Sequence, residues 1–455
     1  MLDNSSKFIE KIIKMGLTKH QNDILNKSLS ILKNNNRLLI KGSAGVGKTY
    51  MVNELAKQLS FNYRGKISCS APTNKAVSVL REKVDEIPGL EFVTTHSALK
   101  LKRVINYKDG SISFQPYFNE KYPPLKNTGV LIIDEASMLS QQLLYYIEKF
   151  STKFRVKVIF IGDEKQLNPI NEENSPVFHQ DYPEVELTEI IRQKDGNPII
   201  DLSRNLSSVR KHINNTNEDF TKGYLHSNNK IKVIEELAKV NGTDEFKYLA
   251  WTNREVDTMN FLVRRMIYGN PKKVEIGETL IFNVPYKQTY FTNQEVKVRN
   301  SIVREKEFKF VNNNQGKASP DFGEEPYFGT IKLKYYSINP IRKNPSKLLM
   351  EGNITDQIIV IHEDSEKDYK EIVKLLRMKA KIADIDWIDF YRFTEQFADL
   401  KYNHALTVHK SQGSTFKQVA VNIRNIFLNK NVIERNRLLY TAITRASNLL
   451  ILYNC

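Results

Sequence analysis

The sequence is poor in cysteine and contains no long apolar run. Its 455 residues include only two cysteines, Cys69 in an apolar stretch and Cys455 at the terminus. Two cysteines build neither a disulfide framework nor a zinc site, which favours a reducing compartment. No apolar run approaches the length that crosses a bilayer, and residues 1–7 contain no apolar signal segment. We therefore expect a cytoplasmic protein with no membrane partner.

Acidic residues are also fewer than basic ones. The chain has 68 Lys and Arg against 52 Asp and Glu, a formal net charge of +16. Such an excess favours a polyanionic partner such as nucleic acid, because basic side chains release the counterions that surround phosphates. The alternative is a lysine-rich codon bias, which the many Lys, Asn and Ile residues also fit.

A glycine-rich segment at residues 42–49, GSAGVGKT, matches the pattern G-x-x-x-x-G-K-[ST] at every fixed position. An apolar strand pattern precedes it and a helical pattern follows. Glycines let backbone N–H groups surround phosphate oxygens, and the helix N-terminus adds partial positive charge. Lys48 is expected to reach the β- and γ-phosphates, and Thr49 to bind Mg²⁺. The sequence thus predicts a nucleoside triphosphate site, with a phosphate cradle formed by Gly42, Ala44, Gly45 and Gly47.

Two acids follow a second apolar strand pattern, at Asp134 and Glu135. The carboxyl end of a parallel strand faces the phosphate site. We expect Asp134 to hold Mg²⁺ and Glu135 to orient and deprotonate the attacking water. Adjacent acids favour a hydrolase over a P-loop kinase. A third strand pattern leads into a polar turn whose Gln166 is placed to contact the γ-phosphate or the water, although an ordinary solvated turn is the alternative.

The first 200 residues alternate strand and helix patterns, which indicates a parallel α/β sheet. The predicted strands are 38–41, 66–70, 130–134 and 156–161, and the predicted helices are 49–59, 74–84 and 141–150. A hairpin signal centred on Asp109 and Gly110 interrupts this alternation. We expect that hairpin to be a functional insertion.

A second α/β unit begins near residue 187 and is split by an insertion. Residues 275–345 are turn-rich and β-rich, which predicts a small β-barrel, and residues 365–397 read as helical. Strand patterns at 248–252, 405–408, 419–423 and 449–453 belong to the second unit. The segment 312–318 is predicted to be the most mobile loop.

Polar segments follow other strands of both units. Residues 71–76 and 94–97 place N–H groups and hydroxyls where they can hold a nucleic-acid phosphate, or serve as ordinary helix caps. Residues 406–415 form a similar strand and polar loop. Arg445 lies on a mainly apolar helix and needs an anionic partner, since burying an unpaired guanidinium is costly. That partner is either a γ-phosphate across a cleft or an acidic side chain.

Taken in order, these motifs resemble the superfamily 1 helicases, specifically the RecD-like group with its phage members. The resemblance begins at residues 17–21, where Gln21 matches a glutamine that reads adenine. It continues through residues 187–193, which include Arg192, and 251–254, which include Asn253. It spans nearly the whole chain. One departure is Asn168, where members of the group often have proline.

The resemblance implies an α/β fold with two RecA-like P-loop motor domains, a β-hairpin pin inserted in the first and an SH3-like β-barrel inserted in the second. The implied division is 1–102 and 125–186 for the first motor domain, 103–124 for the pin, 187–274 and 401–455 for the second motor domain, and 275–400 for the barrel with a helical extension.

The function implied is that of an ATP-dependent DNA helicase that moves 5′ to 3′ on single-stranded DNA and unwinds duplex, in phage replication or recombination and hence in the host cytoplasm. ATP and Mg²⁺ are the implied cofactors. The implied catalytic residues are Lys48, Glu135, Gln166, Arg192 and Arg445, and Gly413 joins the ATP site. The implied DNA-binding residues are Pro72, Thr73, Asn74, Thr95, His96, Phe114, Asn253, Thr407, His409, Lys410 and Ser411. We expect a monomer that binds single-stranded DNA and duplex junctions, with a single-stranded-DNA-binding protein or a replisome component as a candidate partner.

Two alternatives stay open at this level. One is a helicase that acts on RNA or runs 3′ to 5′, since no motif encodes polarity. The other is an ATP-gated nucleic-acid remodelling ATPase that does not unwind. A P-loop kinase or GTPase would leave Arg445 without a role.

Overall fold

The computed structural model describes residues 17–63, 65–117, 123–169, 171–189, 198–206, 209, 223–287, 289–311, 327–341, 357–383 and 385–454. Arg192 and the loop predicted at 312–318 lie outside these ranges. Within them, no helix has both the length and the apolar character needed to cross a membrane.

The first half of the chain builds a six-stranded parallel sheet. Its elements are α1 (Lys19–Asn34), β1 (Arg37–Gly42), α2 (Lys48–Asn62), β2 (Lys66–Ala71), α3 (Asn74–Lys83), β3 (Leu90–Thr94), α4 (Thr95–Ala98), β4 (Leu101–Ile105), β5 (Ile112–Pro116), β6 (Thr128–Ile133), α5 (Gln141–Lys153), β7 (Lys157–Gly162) and β8 (Glu184–Leu187). The strand order is β3-β2-β6-β7-β1-β8. Strands β6, β7 and β1 are therefore neighbours, and their carboxyl ends lie side by side.

Both faces of this sheet are covered, which is why its strands read as continuous apolar runs. In β1, Leu38 and Ile40 pack with the helices on one face, in a cluster that includes Leu55. Leu39 points to the opposite face and packs with Ile147 of α5.

The hairpin β4–β5 stands apart from the sheet as a two-stranded antiparallel ribbon. It projects between α4 and β6, where the sequence predicted an insertion.

The second half builds a five-stranded parallel sheet and an antiparallel sheet. Its elements are α6 (Ile199–Arg204), β9 (Gly223–Ser227), α7 (Lys230–Val240), β10 (Phe246–Ala250), α8 (Asn253–Tyr268), β11 (Thr279–Phe282), β12 (Glu295–Val311), β13 (Tyr327–Ile341), β14 (Ile358–Ile361), α9 (Glu366–Lys381), α10 (Trp387–Thr394), β15 (Leu400–Tyr402), β16 (Ala405–Thr407), β17 (Phe416–Asn422), α11 (Ile423–Ile426), α12 (Val432–Ile443) and β18 (Ala446–Tyr453). The parallel order is β16-β10-β17-β18-β9, and the antiparallel order is β14-β13-β12-β11-β15.

The antiparallel sheet interrupts the parallel one between α8 and β16. Its strands β12 and β13 form a long ladder that continues to Val311 and Tyr327. A backbone hydrogen bond from Ala398 N–H to Ile359 O, 2.7 Å long, links the segment before β15 to β14. The two edge strands of the sheet are thereby connected, so the sheet curls on itself.

The predicted strands of the first half are confirmed as β1, β2, β6 and β7, within two residues of their predicted ends. The helical region 365–397 is divided into α9 and α10, because the chain turns at Ala383, whose φ is 62°. Strands β3 and β8 had no clear sequence signal. No residue of β3 is fully buried, and β8 alternates exposed and buried residues at the sheet edge.

Candidate active site

The glycine-rich segment connects β1 to α2 in a tight loop. Gly45 and Gly47 have φ of 86° and 83°, in the left-handed region that glycine adopts without strain. At Gly42 a Cβ atom would lie 2.8 Å from Val46 Cγ2, so a side chain would push the loop open. The Lys48 ammonium folds back and donates to Gly42 O at 2.8 Å and Ser43 O at 3.0 Å. The Lys48 ammonium is thus bound by carbonyls of its own loop.

The acidic pair lies directly after β6, the second neighbour of β1 across the sheet. Asp134 is buried, and Glu135 has a φ of 53°, a left-handed conformation that turns its side chain out of the strand direction. The Glu135 N–H donates to Asp134 Oδ1 at 2.9 Å. Burial, together with the neighbouring Glu135 carboxylate, raises the pKa of Asp134 above its ordinary value.

Magnesium fits this pair. Glu135 Oε2 is buried and has no hydrogen-bond partner among the described residues. Two adjacent carboxylates in a buried site need a compensating cation, and hard oxygen ligands suit Mg²⁺. Thr49 and Asp134 line the same cavity, so a hydroxyl and a carboxylate are available to hold the ion.

The polar turn after β7 completes this side of the cavity. Asp163 and Gln166 are both buried. Asp163 Oδ2 lies 3.9 Å from the Lys48 ammonium. Gln166 Oε1 has no partner among the described residues and its side chain lines the cavity. A solvated turn, the alternative for Gln166, is excluded by this burial.

The opposite wall comes from the second half of the chain. Arg445 is buried and donates to Thr441 O at 3.0 Å, Ser414 O at 2.9 Å and Thr444 Oγ1 at 3.3 Å. Among the described residues it has no carboxylate partner. Its side chain lines the cavity, where a guanidinium is suited to binding an anion.

Both halves enclose one cavity of about 380 Å³. Its lining residues include Ala44, Gly45, Gly47, Lys48, Thr49, Asp134, Glu135, Gln166, Gly413, Ser414, Thr444 and Arg445. Residues from separate motifs along the sequence are thus brought together. The phosphate loop, the acidic pair and an arginine surround the same volume.

Gln21 lies elsewhere. Its side chain is 1% exposed, accepts from Thr18 N–H at 3.2 Å and donates to Val46 O at 3.4 Å. It does not line the cavity. The Gln21 amide joins α1 to the phosphate loop in this structure, and the adenine contact stays a prediction.

The predicted nucleic-acid residues of the first half lie after β2 and β3. Thr73 caps α3 by accepting from Ala76 N–H at 3.3 Å, and Pro72 and Asn74 beside it are partly exposed. His96 is half-buried, and burial lowers its pKa. Thr95 is a correction, because its side chain is completely buried with its hydroxyl 3.4 Å from Ser70 Oγ and cannot touch a nucleic acid.

The predicted nucleic-acid residues of the second half lie after β10 and β16. Asn253 is exposed at the start of α8. His409 is partly exposed, with Nε2 3.9 Å from Glu434 Oε1, and burial lowers its pKa. The Lys410 ammonium donates to Asn283. Thr407 is buried and its hydroxyl accepts from Lys410 N–H.

Ser411 is a second correction in this set. It is fully buried and its hydroxyl donates to Val408 O at 2.7 Å. The hydroxyl stabilises the turn that leads to Gly413 and is not available to a phosphate.

The hairpin is held at both ends. Near its base, Phe114 is exposed and packs edge-on against His96, with ring centroids 4.8 Å apart. At its tip, Gly110 has a φ of 70°, and a Cβ there would lie 2.3 Å from the Trp387 ring. Tyr391 donates to Gly110 O at 2.6 Å. The tip therefore docks on α10, in the insertion of the second half.

Sequence reasoning missed two sets of contacts between the halves. Lys75 pairs with Asp244 at 3.2 Å and Glu295 at 3.8 Å. Arg437 and Tyr440 of α12 contact the turn after β7. Tyr440 lies five positions before Arg445, which the sequence had already marked as a candidate site residue, so its position was a usable signal. Lys75 gave no sequence signal for its contacts, since one lysine in a basic chain is inconspicuous.

Comparison with known proteins agrees with this geometry. The AAA domain family model matches residues 16–230, and the UvrD-like helicase C-terminal domain model matches residues 402–453. These ranges contribute opposite walls of the cavity.

Relatives that match most of this chain are found among viruses and bacteria. The chain is 27% identical to the uncharacterized protein R530 of Acanthamoeba polyphaga mimivirus, covering 93% of this chain and 97% of the relative. It is 26% identical to the ATP-dependent DNA helicase dda of Enterobacteria phage T4, covering 94% and 97%, and 26% identical to the RecBCD enzyme subunit RecD of Buchnera aphidicola subsp. Schizaphis graminum, covering 96% and 73%.

A solved structure shares the fold. A Pif1 helicase, from a study of DNA unwinding at forked double-stranded DNA by two coordinating Pif1 helicases, superposes with a TM-score of 0.50 at 18% identity, covering 97% of this chain and 92% of that chain. The two parallel sheets therefore form two RecA-like domains, as the resemblance implied.

Proposed function

We propose that this chain, a superfamily 1 helicase of the RecD-like group and an ATP-hydrolysing DNA helicase, translocates 5′ to 3′ along single-stranded DNA and unwinds duplex DNA. The observation that carries this proposal is the shared cavity, where Lys48 and Glu135 from one half face Arg445 from the other. Hydrolysis in such a cavity changes the relation between the two halves, which is how phosphate chemistry becomes motion.

Each cavity residue has a proposed chemical role. Lys48 exchanges its bonds to the loop carbonyls for bonds to the β- and γ-phosphates. The free Oε2 of Glu135 orients the attacking water and takes its proton. Gln166 contacts the water or the γ-phosphate, and Arg445 stabilises the charge on that phosphate as it leaves. Arg192 has the same proposed role from the sequence alone.

Mg²⁺, when bound, neutralises phosphate oxygens, and we assign Thr49 and Asp134 to hold it. Asp134 is suited to this because it is buried at the end of β6, where only a cation compensates its charge.

Nucleic acid is proposed to lie across both halves. Pro72, Thr73, Asn74 and His96 contribute from the first half, with phosphate bonds from the N-terminus of α3. Asn253, His409 and Lys410 contribute from the second half. The ion pairs of Lys75 with Asp244 and Glu295 bridge the halves next to this track.

The hairpin is proposed as the strand-separating pin, and the curled antiparallel sheet as an SH3-like barrel that supports it. The domain boundaries given above belong to this proposal. Docking of the Gly110 tip on Trp387 and Tyr391 supports it, because a wedge must be rigid to split base pairs. Stacking of a base on exposed Phe114 contributes about 1–3 kcal/mol, similar to the cost of opening one pair.

Strand displacement from tailed substrates tests the proposal. Duplexes with a single 5′ tail, a single 3′ tail or a fork are compared with matching RNA duplexes, with Lys48→Ala as the inactive control. We expect displacement from 5′-tailed and forked DNA only, together with DNA-stimulated ATP hydrolysis. Displacement from the 3′-tailed duplex or from RNA would overturn polarity or substrate class. DNA-stimulated hydrolysis without any displacement would identify a remodelling ATPase.

The cellular part of the proposal is a role in phage replication or recombination, in the host cytoplasm. The proposed active form is a monomer, and a single-stranded-DNA-binding protein or a replisome component is its proposed partner. Light scattering during active unwinding tests the oligomeric state.

A further inference from the structure

Helix α12 contacts both halves of the molecule. One face, including Leu438, Leu439 and Ala442, is buried in the hydrophobic core of the second half. The other face presents Arg437 and Tyr440, which are one turn apart and therefore point the same way. Both side chains reach the turn after β7, which belongs to the first half.

Tyr440 joins two parts of the nucleotide site through one hydroxyl. The hydroxyl donates to Asp163 Oδ2 at 2.7 Å and accepts from the backbone N–H of Ala44, in the phosphate loop, at 3.0 Å. Burial and the Asp163 carboxylate raise the pKa of Tyr440, so the hydroxyl keeps its proton. The same carboxylate lies 3.9 Å from the Lys48 ammonium.

Arg437 holds the remainder of the turn. One nitrogen of its guanidinium donates to Glu164 O at 3.1 Å and Gln166 O at 3.0 Å, and also contacts Asn168 Oδ1. Leu167 is buried in the core of the second half. Gln412 donates to Leu167 O at 3.3 Å. The turn from 163 to 168 is thus bonded along its whole length to the other half of the chain.

The turn carries Gln166, whose Oε1 faces the cavity without a partner. A side chain that must contact a reacting group works only if its backbone is held in place. The N–H of Gln166 donates to Asp163 O at 3.1 Å within the turn, and its carbonyl is held from the other half of the chain by Arg437 of α12.

We propose that Arg437 and Tyr440 are positioning residues for ATP hydrolysis. They hold the Gln166 turn and the phosphate loop in a fixed position relative to each other whenever the two halves are closed. The proposal rests on the proposed function. It gives the second half a contribution to hydrolysis that is separate from the charge of Arg445, because neither residue has to touch the nucleotide.

Steady-state ATP hydrolysis with saturating single-stranded DNA tests this positioning role. Tyr440→Phe removes one oxygen atom and keeps the ring. We expect kcat to fall by about 10- to 100-fold, the range for losing a hydrogen bond to a charged group, while the KM for ATP changes by less than about threefold.

Arg437→Lys keeps the positive charge but loses the planar guanidinium, and we expect kcat to fall less than in Arg437→Ala. The matched control is Tyr402→Phe, which removes a hydroxyl that donates to Lys273 O at 3.2 Å away from the cavity. We expect it to hydrolyse ATP like the wild type.

A double-mutant cycle separates positioning from a general loss of folding. In a Gln166→Ala background, Arg437→Lys is expected to lower kcat by less than about twofold, because the group that Arg437 positions is gone, whereas Tyr440→Phe keeps the part of its effect that acts through the phosphate loop. A full effect of Arg437→Lys in that background overturns the proposal, as does wild-type kcat in Tyr440→Phe. Thermal unfolding of each variant identifies any fall that comes from lost stability, and a kcat loss that follows the melting temperature also overturns it. A wild-type chain without DNA-stimulated hydrolysis would overturn the proposed function as well, whereas an active wild type with an unaffected Tyr440→Phe would overturn only this inference.

Discussion

Docking of the hairpin on α10 yields a sharp prediction at Gly110. In Gly110→Ala the added Cβ would lie 2.3 Å from the Trp387 ring, well inside contact distance. Trp387 is buried and its ring packs against Phe390 and Tyr391, so moving it would break core contacts. The hairpin tip must therefore lift away from α10.

The size of the effect follows from the contacts that lifting breaks. The Tyr391–Gly110 hydrogen bond is worth about 1 kcal/mol. The Arg103 guanidinium, 4.7 Å from the centre of the Tyr391 ring, contributes about 0.5–1 kcal/mol. Its half-exposed ion pair with Glu395 contributes about 0.2–1 kcal/mol. Together these shift the docking equilibrium by about 2–3 kcal/mol, or about 30- to 150-fold.

Stopped-flow unwinding of a 5′-tailed duplex measures the result, with DNA-stimulated ATP hydrolysis measured in parallel. We expect the unwinding rate to fall at least about tenfold while hydrolysis stays within about twofold, since the hairpin lies outside the ATP cavity. Gly269→Ala is the matched control. Gly269 has a φ of 73° and no atom within 4 Å of a new Cβ, so it places an alanine at a positive φ without the collision. Equal unwinding by the two variants, or equal loss of unwinding and hydrolysis in Gly110→Ala, would refute the reasoning.

Three further predictions concern the cavity and the fold. Lys48→Ala is expected to abolish hydrolysis, and Glu135→Gln to bind ATP in a fluorescent-nucleotide titration but turn over poorly, so an active Glu135→Gln enzyme would reject the assigned base. Arg445→Ala is expected to lower kcat by about 10³-fold or more with little loss of ATP binding, as for other arginines that stabilise a departing phosphate, and a change in KM alone would contradict this role. Arg264→Ala leaves Glu278 buried without its partner, the two side chains being 4% and 0% exposed, and should lower the free energy of unfolding by about 3–5 kcal/mol in urea titrations followed by circular dichroism. A loss below about 1 kcal/mol would show that the buried pair is dispensable.

The local parts of the site could be predicted because each is encoded in a few consecutive residues. The strand, glycine loop and helix around Lys48 form one contiguous unit, and Asp134 follows its strand directly. Their meeting in one cavity follows from the parallel order of β6, β7 and β1, which places all their carboxyl ends at one edge. Contacts predicted from motif membership were less reliable. The hydroxyls of Thr95 and Ser411 are both buried, the first beside Ser70 on β2 and the second in a bond to Val408 O, within its own turn.

The amino-acid sequence by itself determined the class of chemistry, the parallel α/β architecture and the identity of most cavity residues, since these depend on local pattern and on the periodicity of apolar residues. Only the tertiary structure decided how the halves meet. The bond from Tyr440 to Asp163 spans 277 positions and that from Tyr391 to Gly110 spans 281. Such contacts leave no periodic trace in a single sequence, because each depends on one pair of side chains and on the packing of everything between them.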